Sequence, residues 1–131
     1  MKKFFAIILF VISFTTLPAL SFAESMVLVL DTLKCHETED WNGADEPYLT
    51  ISGIGTVWSG VMNDGDQRTL NQRRTVGSPA YIKLYDTDSG MFDKNDHLGT
   101  VIATSSMKGR GTMTGGFTQD GANYTLYYHV E

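Results

Sequence analysis

The sequence predicts an all-β protein, a single eight-stranded antiparallel β-sandwich, from three observations. Past residue 23 no apolar period suits a helix, whereas short runs rich in β-branched and aromatic residues recur at regular intervals. Turn-forming sequences separate these runs, among them Ser52-Gly53, the stretch from Asn63 to Asp66, and Asp120-Gly121. The length suits one domain that can bury a core without disulfides.

The predicted strands are short and follow one another without a repeat or a linker. In the last of them, Tyr124, Leu126 and Tyr128 alternate with Tyr127, so the first three are expected to share one face. The eight strands are Met26–Cys35, Tyr48–Ile51, Gly55–Trp58, Gln67–Asn71, Tyr81–Tyr85, Thr100–Ser105, Gly111–Phe117 and Ala122–Val130.

Residues 1–23 have the pattern of a cleaved signal peptide. Lys2 and Lys3 precede an apolar run from Phe4 to Phe14, and the segment ends in Ser21-Phe22-Ala23, a small-x-small cleavage site. The apolar run is short for a membrane span. We therefore expect residues 24–131 to form the mature domain, in a secreted or periplasmic protein.

The charge of the mature chain excludes several classes of partner. Without Lys2 and Lys3, eight basic residues face fifteen acidic ones, a formal net charge of −7. Nucleic-acid binding needs a basic face, so it is not expected, and docking on anionic lipid by charge alone is not expected either. Cys35 is the only cysteine, so no internal disulfide can form.

The acidic residues are concentrated in two loops. The first, from His36 to Leu49, lies between the first and second predicted strands, and the second runs from Tyr85 to Gly99. Each is interrupted by glycine, and loops of a β-sandwich gather at its ends. Crowded carboxylates repel one another unless a cation lies among them, and Ca²⁺ takes about six to eight oxygen ligands. Two such loops therefore predict a calcium site.

Other metal sites fit less well. An EF-hand loop that starts at Asp86 would need a glycine where Met91 stands and a glutamate where His97 stands. Zinc prefers histidine and cysteine, whereas these clusters offer oxygen; His36 and His97 at the loop borders leave a zinc site as a minor alternative.

Both loops resemble the calcium-binding loops of C2 domains. The segment Asp40 to Leu49 reads Asp-x-x-Gly-x-x-Glu-Pro-Tyr-Leu and is similar to the family pattern Asp-x-x-Gly-x-x-Asp-Pro-Tyr-Val. In the second loop, Asp86-x-Asp88 followed by Asp96-x-Leu98-Gly99 looks like the family's Asp-x-Asp, spacer, Asp-x-(Ile/Leu)-Gly. The resemblance implies a C2-like sandwich that binds Ca²⁺ between these loops, as many members do before docking on phospholipid.

The resemblance also implies a set of ligands, with two departures from the family pattern. Glu46 stands where the family has aspartate, and the spacer between Asp88 and Asp96 is longer than usual, so Asp93 or Asn95 competes with Asp96. Asp45 is an extra carboxylate that we expect to face solvent. The implied metal ligands are Asp40, Glu46, Asp86, Asp88, Asp93 and Asp96.

The tips of the loops suggest a contact surface. Trp41 in the first loop and Met91 and Phe92 in the second are large apolar residues beside the predicted metal site. We expect a calcium-dependent module that docks to a membrane or another surface. The alternative is a secreted scaffold with structural calcium that binds a protein or a glycan. Catalysis is not expected, because no Gly-x-Ser-x-Gly elbow is present and Cys35 has no visible base.

Overall fold

A computed structural model describes residues 11–13, 15–17, 24–88 and 95–131. Most of the predicted signal peptide lies outside these ranges, as do Met91, Phe92 and Asp93. In the described ranges no helix is long and apolar enough to cross a membrane.

The described residues form eight strands, as the sequence predicts. A single 3-10 turn at Ser105–Met107 joins the sixth to the seventh. The strands are β1 (Ser25–Glu37), β2 (Pro47–Ile51), β3 (Gly55–Ser59), β4 (Gln67–Gly77), β5 (Ala80–Asp86), β6 (Asp96–Ala103), β7 (Met113–Phe117) and β8 (Asn123–Val130).

The strands form two four-stranded sheets, ordered β4-β1-β8-β7 and β3-β2-β5-β6, and every pairing within them is antiparallel. Their inner faces supply an apolar core in which the inward residues alternate with outward ones. In β8, Tyr124, Leu126 and Tyr128 are buried while Tyr127 faces outward, as predicted. The all-β, eight-stranded sandwich is therefore confirmed.

Two strands extend at least four residues beyond a predicted end. β4 continues past Asn71 to Gly77 because it pairs with the first half of β1, from Ser25↔Gly77 to Leu30↔Gln72. β6 begins at Asp96 and not at Thr100, because Asp96 already pairs with Asp86 across the two strands. The last part of the second acidic loop is thus strand, which fixes the backbone around Asp96.

Candidate metal centre

Both acidic loops leave the same end of the sandwich and lie side by side. The first connects β1 to β2, and the second connects β5 to β6. Strands β2 and β5 are neighbours, with Pro47 opposite Asp86, and the Thr87 N–H donates to the Glu46 carbonyl over 3.1 Å. Strand pairing therefore brings the two sets of carboxylates together.

Asp45 organises the first loop from inside the protein. Its carboxylate is fully buried and accepts three hydrogen bonds: from the Glu39 N–H at 2.8 Å, the Asp40 N–H at 3.1 Å and the Tyr124 hydroxyl at 2.6 Å. Its backbone forms an isolated bridge with Met62. The expectation that Asp45 faces solvent is wrong, because the bridge turns its side chain toward the buried hydroxyl of Tyr124.

Asp86 holds the second loop at the end of β5. Only 1% of its surface is exposed, and its Oδ1 accepts the Glu46 N–H over 2.7 Å. Its Oδ2 is buried and, when Asp86 and Glu39 are both ionised, has no hydrogen-bond donor among the described residues; the same holds for Oε2 of Glu39. A buried anionic oxygen without a partner is costly, and a bound cation would remove that cost.

The carboxylates form two overlapping groups that share Glu39. In each group, one oxygen of every member lies within 4.8 Å of the others. Glu39, Asp40, Asp45 and Asp86 form the first group, and Glu39, Asp88 and Asp96 form the second. Glu39 thus lies between two positions at which an ion could be held.

The crowding is visible in the pKa values. Burial, followed by the charges of Asp96 and Asp40 and a proton shared with Asp86, raises the pKa of Glu39 from 4.5 to about 8. Burial also raises the pKa of Asp86 from 3.8 to about 6, against the lowering effect of the Glu46 N–H, and Asp45 and Asp40 raise it further. Burial and the neighbouring negative charges both favour the protonated forms of these two carboxyl groups.

The chemistry of the donors suits a hard cation. Both groups among the described residues contain carboxylate oxygens alone, which favours Ca²⁺ or Mg²⁺ over zinc. Asp45 Oδ1 accepts only the Asp40 N–H, so one of its lone pairs can face a metal ion, whereas Oδ2 already accepts two hydrogen bonds. The acidic cluster can therefore hold a metal ion.

Four of the six predicted metal ligands lie in the two acidic groups. Asp40, Asp86, Asp88 and Asp96 are brought together in the two groups. The side chain of Glu46 is exposed and belongs to neither group, and it is the Glu46 backbone that contacts Asp86. The Asn95 side-chain amide donates to the Tyr48 hydroxyl over 2.9 Å, and its Oδ1 accepts the Asp88 N–H over 3.4 Å. Asp93 is outside the described residues.

Sequence reasoning missed the importance of Glu39 and Asp45. Neither occupies a position of the C2 loop pattern, so the resemblance did not select them. One signal was available: Tyr124 was predicted to share a face with Leu126 and Tyr128, and a tyrosine hydroxyl on a buried face needs a hydrogen-bond partner. Asp45 is that partner.

The tip of the first loop carries an exposed aromatic side chain. Trp41 is 98% exposed, so its indole does not fold back over the carboxylates. It borders an acidic cleft of about 320 Å³ that Glu37, Asp40 and Asp64 also line. A large apolar side chain is therefore exposed to solvent directly beside the carboxylates.

Comparison with known proteins gives structural matches only. No family model and no curated protein matches the sequence. A structure of the two C2 domains of extended synaptotagmin 2 superposes with a TM-score of 0.57 and 18% identity, covering 96% of this chain and 48% of that chain. A structure of a C2 domain gives a TM-score of 0.52 and 16% identity, covering 81% of this chain and 98% of that one. This chain thus spans about half of the first of these structures and nearly all of the second. The chain has the C2-like β-sandwich fold, with a group of acidic residues that could hold a metal ion at one end.

Proposed function

We propose that this protein is exported, binds Ca²⁺ between its two acidic loops, and then docks through the loop tips to a phospholipid membrane. The observation that carries the proposal is a pair of buried oxygens, Asp86 Oδ2 and Glu39 Oε2, which lie inside a cluster of carboxylates and have no donor among the described residues. The C2-like fold supports it, because its loops hold the cluster at one end of the sandwich.

Calcium fits the cluster better than magnesium. Mg²⁺ demands a near-ideal octahedron and keeps several of its waters, whereas Ca²⁺ accepts more oxygens in an irregular shell. Six carboxylates from two loops make up the cluster: Glu39, Asp40, Asp45, Asp86, Asp88 and Asp96. Such a dense, irregular set of anionic oxygens suits one or two Ca²⁺ ions, with Glu39 between them.

Isothermal titration of the metal-free protein with CaCl₂ tests the first step. We expect saturable binding and a melting temperature that rises with millimolar Ca²⁺, because a ligand at about a hundredfold excess over Kd stabilises by about 2.7 kcal/mol. If neither occurs, the calcium proposal is wrong.

The docking step rests on Trp41. Bound Ca²⁺ would cancel the charge that keeps an acidic loop away from anionic lipid, and the exposed indole could then enter the membrane interface. We expect the protein to float with vesicles of phosphatidylcholine and phosphatidylserine in Ca²⁺ but not in EGTA. Trp41→Ala should lose flotation and still bind Ca²⁺.

A matched control separates a specific effect of Trp41 from a general loss of apolar surface. Ile54 is 43% exposed in the β2–β3 turn, at the opposite end of β2 from the acidic loop, so Ile54→Ala should float like the wild type. A protein that binds Ca²⁺ but never floats would contradict membrane docking and leave the scaffold with structural calcium. The export step predicts that protein recovered outside the cytoplasm begins at Glu24, which its mass would show.

A further inference from the structure

A second candidate site lies on the outer face of the β4-β1-β8-β7 sheet, and none of its residues belongs to the acidic groups. It is an open groove of about 440 Å³, within the range of about 300–1,000 Å³ that small-molecule sites occupy. We call it the Asp31 groove. Its lining residues are Asp31, Thr32, Gln67, Thr112, Tyr127 and His129.

The backbone at Asp31 is irregular on both sides. Against β8, Leu30 pairs with Tyr128 and Thr32 with Tyr127, so Asp31 is an extra residue. Against β4, the pairings Leu30↔Gln72 and Thr32↔Thr69 leave two residues of β4 opposite Asp31 alone. One of these two is Asn71, whose φ of 48° is rare for a residue other than glycine.

The irregularity changes which alternate residues of β1 face the core. Leu28 and Leu30 point into the core before the irregularity, and Leu33 and Cys35 do so after it. Asp31 and Thr32 are therefore consecutive residues that both remain partly exposed. Bulges often re-aim a side chain beside a functional site, and here the bulge turns a carboxylate into the groove.

Neighbouring side chains fix the Asp31 carboxylate. His129 Nδ1 lies 2.9 Å from Asp31 Oδ2, and His129 Nε2 lies 3.4 Å from Glu131 Oε1. Glu131 in turn accepts a hydrogen bond from Arg73 Nε over 3.2 Å. This chain of contacts orients the Asp31 carboxylate through its Oδ2.

The lining has the chemistry of a sugar site. Asp31 accepts from hydroxyl groups, Gln67 both donates and accepts, and the hydroxyls of Thr32 and Thr112 do the same. Tyr127, half-buried on β8, supplies an aromatic ring to the lining of the groove. The face of this ring could pack on the C–H face of a pyranose. The Asp31 carboxylate disfavours phosphate or carboxylate ligands, and the polar lining disfavours purely apolar ones.

We propose that the Asp31 groove binds a neutral pyranose unit of a glycan, with Asp31 accepting from a pair of sugar hydroxyls and Tyr127 stacking on the ring.

Isothermal titration of the purified protein with neutral tetrasaccharides of glucose, mannose, galactose and N-acetylglucosamine tests the proposal. We expect saturable binding of at least one of them, unchanged by EGTA because the groove shares no residue with the acidic groups. Failure of all four at millimolar concentration would overturn the proposal. So would binding that requires Ca²⁺, because the sugar would then sit at the acidic loops.

Variants assign the binding to the groove. Asp31→Asn and Tyr127→Ala should each weaken the affinity about tenfold or more, as expected when a hydrogen bond to a charged group or a ring contact is lost. Tyr127→Phe keeps the ring and should retain most of the affinity. Gln67→Leu, of nearly the same size, gives a second test if Tyr127→Ala does not fold.

The matched control is Tyr81→Ala, since Tyr81 is a 41% exposed tyrosine on the other sheet. It should bind sugar like the wild type. Loss of binding in Tyr81→Ala, or wild-type binding in folded Asp31→Asn and Tyr127→Ala, would place any sugar elsewhere and refute the proposal.

Discussion

Asp45 illustrates how one buried carboxylate can shape a candidate metal site from inside the protein. Two backbone N–H groups and the Tyr124 hydroxyl hold it inside the protein, and the residues that donate those N–H groups are Glu39 and Asp40. Their side chains belong to the same acidic group. Asp45 therefore couples the core of the sandwich to the geometry of the first loop.

Removal of the Tyr124 hydroxyl should loosen this arrangement. Tyr124→Phe deprives the buried Asp45 carboxylate of its shortest hydrogen bond, so the free energy of unfolding should fall by about 1–3 kcal/mol, and Ca²⁺ affinity should fall with it. Urea unfolding of the metal-free protein and Ca²⁺ titration measure the two effects. Tyr85→Phe, a half-exposed tyrosine of β5, is the control; wild-type values in Tyr124→Phe would contradict this role.

Replacing a predicted ligand should affect stability differently with and without Ca²⁺. Asp86→Asn and Asp88→Asn should each abolish the rise in melting temperature that Ca²⁺ produces. In the absence of metal near neutral pH, Asp86→Asn should be at least as stable as the wild type, because it removes one of several mutually repelling charges and its amide oxygen can still accept the Glu46 N–H.

The control for these variants is Asp120→Asn. Asp120 lies in the β7–β8 turn with a φ of 55°, which asparagine tolerates, and it is remote in sequence from both acidic loops. It should keep the full response of the wild type to Ca²⁺. A wild-type response in Asp86→Asn and Asp88→Asn would remove the basis for the ligand assignment.

At the scale of elements, the two sheets approach each other closely at Gly99 of β6. Its φ is 148°, and a Cβ there would lie 2.9 Å from the Phe117 Cα of β7. Gly99→Ala should therefore lower the free energy of unfolding by about 1–3 kcal/mol in urea denaturation. Gly77→Ala, where nothing lies within 4 Å of the added Cβ, should stay within about 0.5 kcal/mol of the wild type. Equal stability of the two variants would contradict the close contact.

The elements also show what the sequence could and could not predict. Short runs rich in β-branched and aromatic residues, separated by turn sequences, identified all eight strands. The second half of β4 was missed, since this edge strand buries only Leu70 and Val76, and the residues between them on the same face are Gln72 and Arg74. A local pattern cannot show that such a polar segment is held as strand by pairing with β1.

The spacing of the two loop motifs predicted part of the candidate site, because it indicated which residues lie in the two acidic loops. Strand pairing does gather Asp40, Asp86, Asp88 and Asp96, the residues selected from the loop patterns. Asp45 was expected in solvent and is buried, whereas Glu46 was expected among the ligands and has an exposed side chain outside both acidic groups. Which of two neighbours points inward depends on the bridge to Met62 and the hydroxyl of Tyr124, both distant in sequence.

For the whole molecule, the acidic loops should make the metal-free protein less stable as pH rises, and Ca²⁺ should oppose this effect. The folded-state pKa values of Glu39 and Asp86 are about 8 and about 6, above their ordinary values of 4.5 and 3.8. Between these limits the folded protein keeps protons that the unfolded chain has released. Rising pH therefore favours unfolding of the metal-free protein, over about pH 4–6 for Asp86 and about pH 4.5–8 for Glu39.

Calcium should cancel this dependence, since it binds the ionised carboxylates and displaces their protons. In metal-stripped buffer, we expect the free energy of unfolding to fall between about pH 5 and pH 8, with Asp86 contributing at most on the order of 2 kcal/mol. With saturating Ca²⁺ the fall should vanish or reverse. Urea unfolding at both pH values measures this, and Glu39→Gln should remove the part of the fall above about pH 6. If the metal-free protein instead becomes more stable toward pH 8, the carboxylates do not repel one another in the folded state, and the cluster would not need a cation to balance its charge.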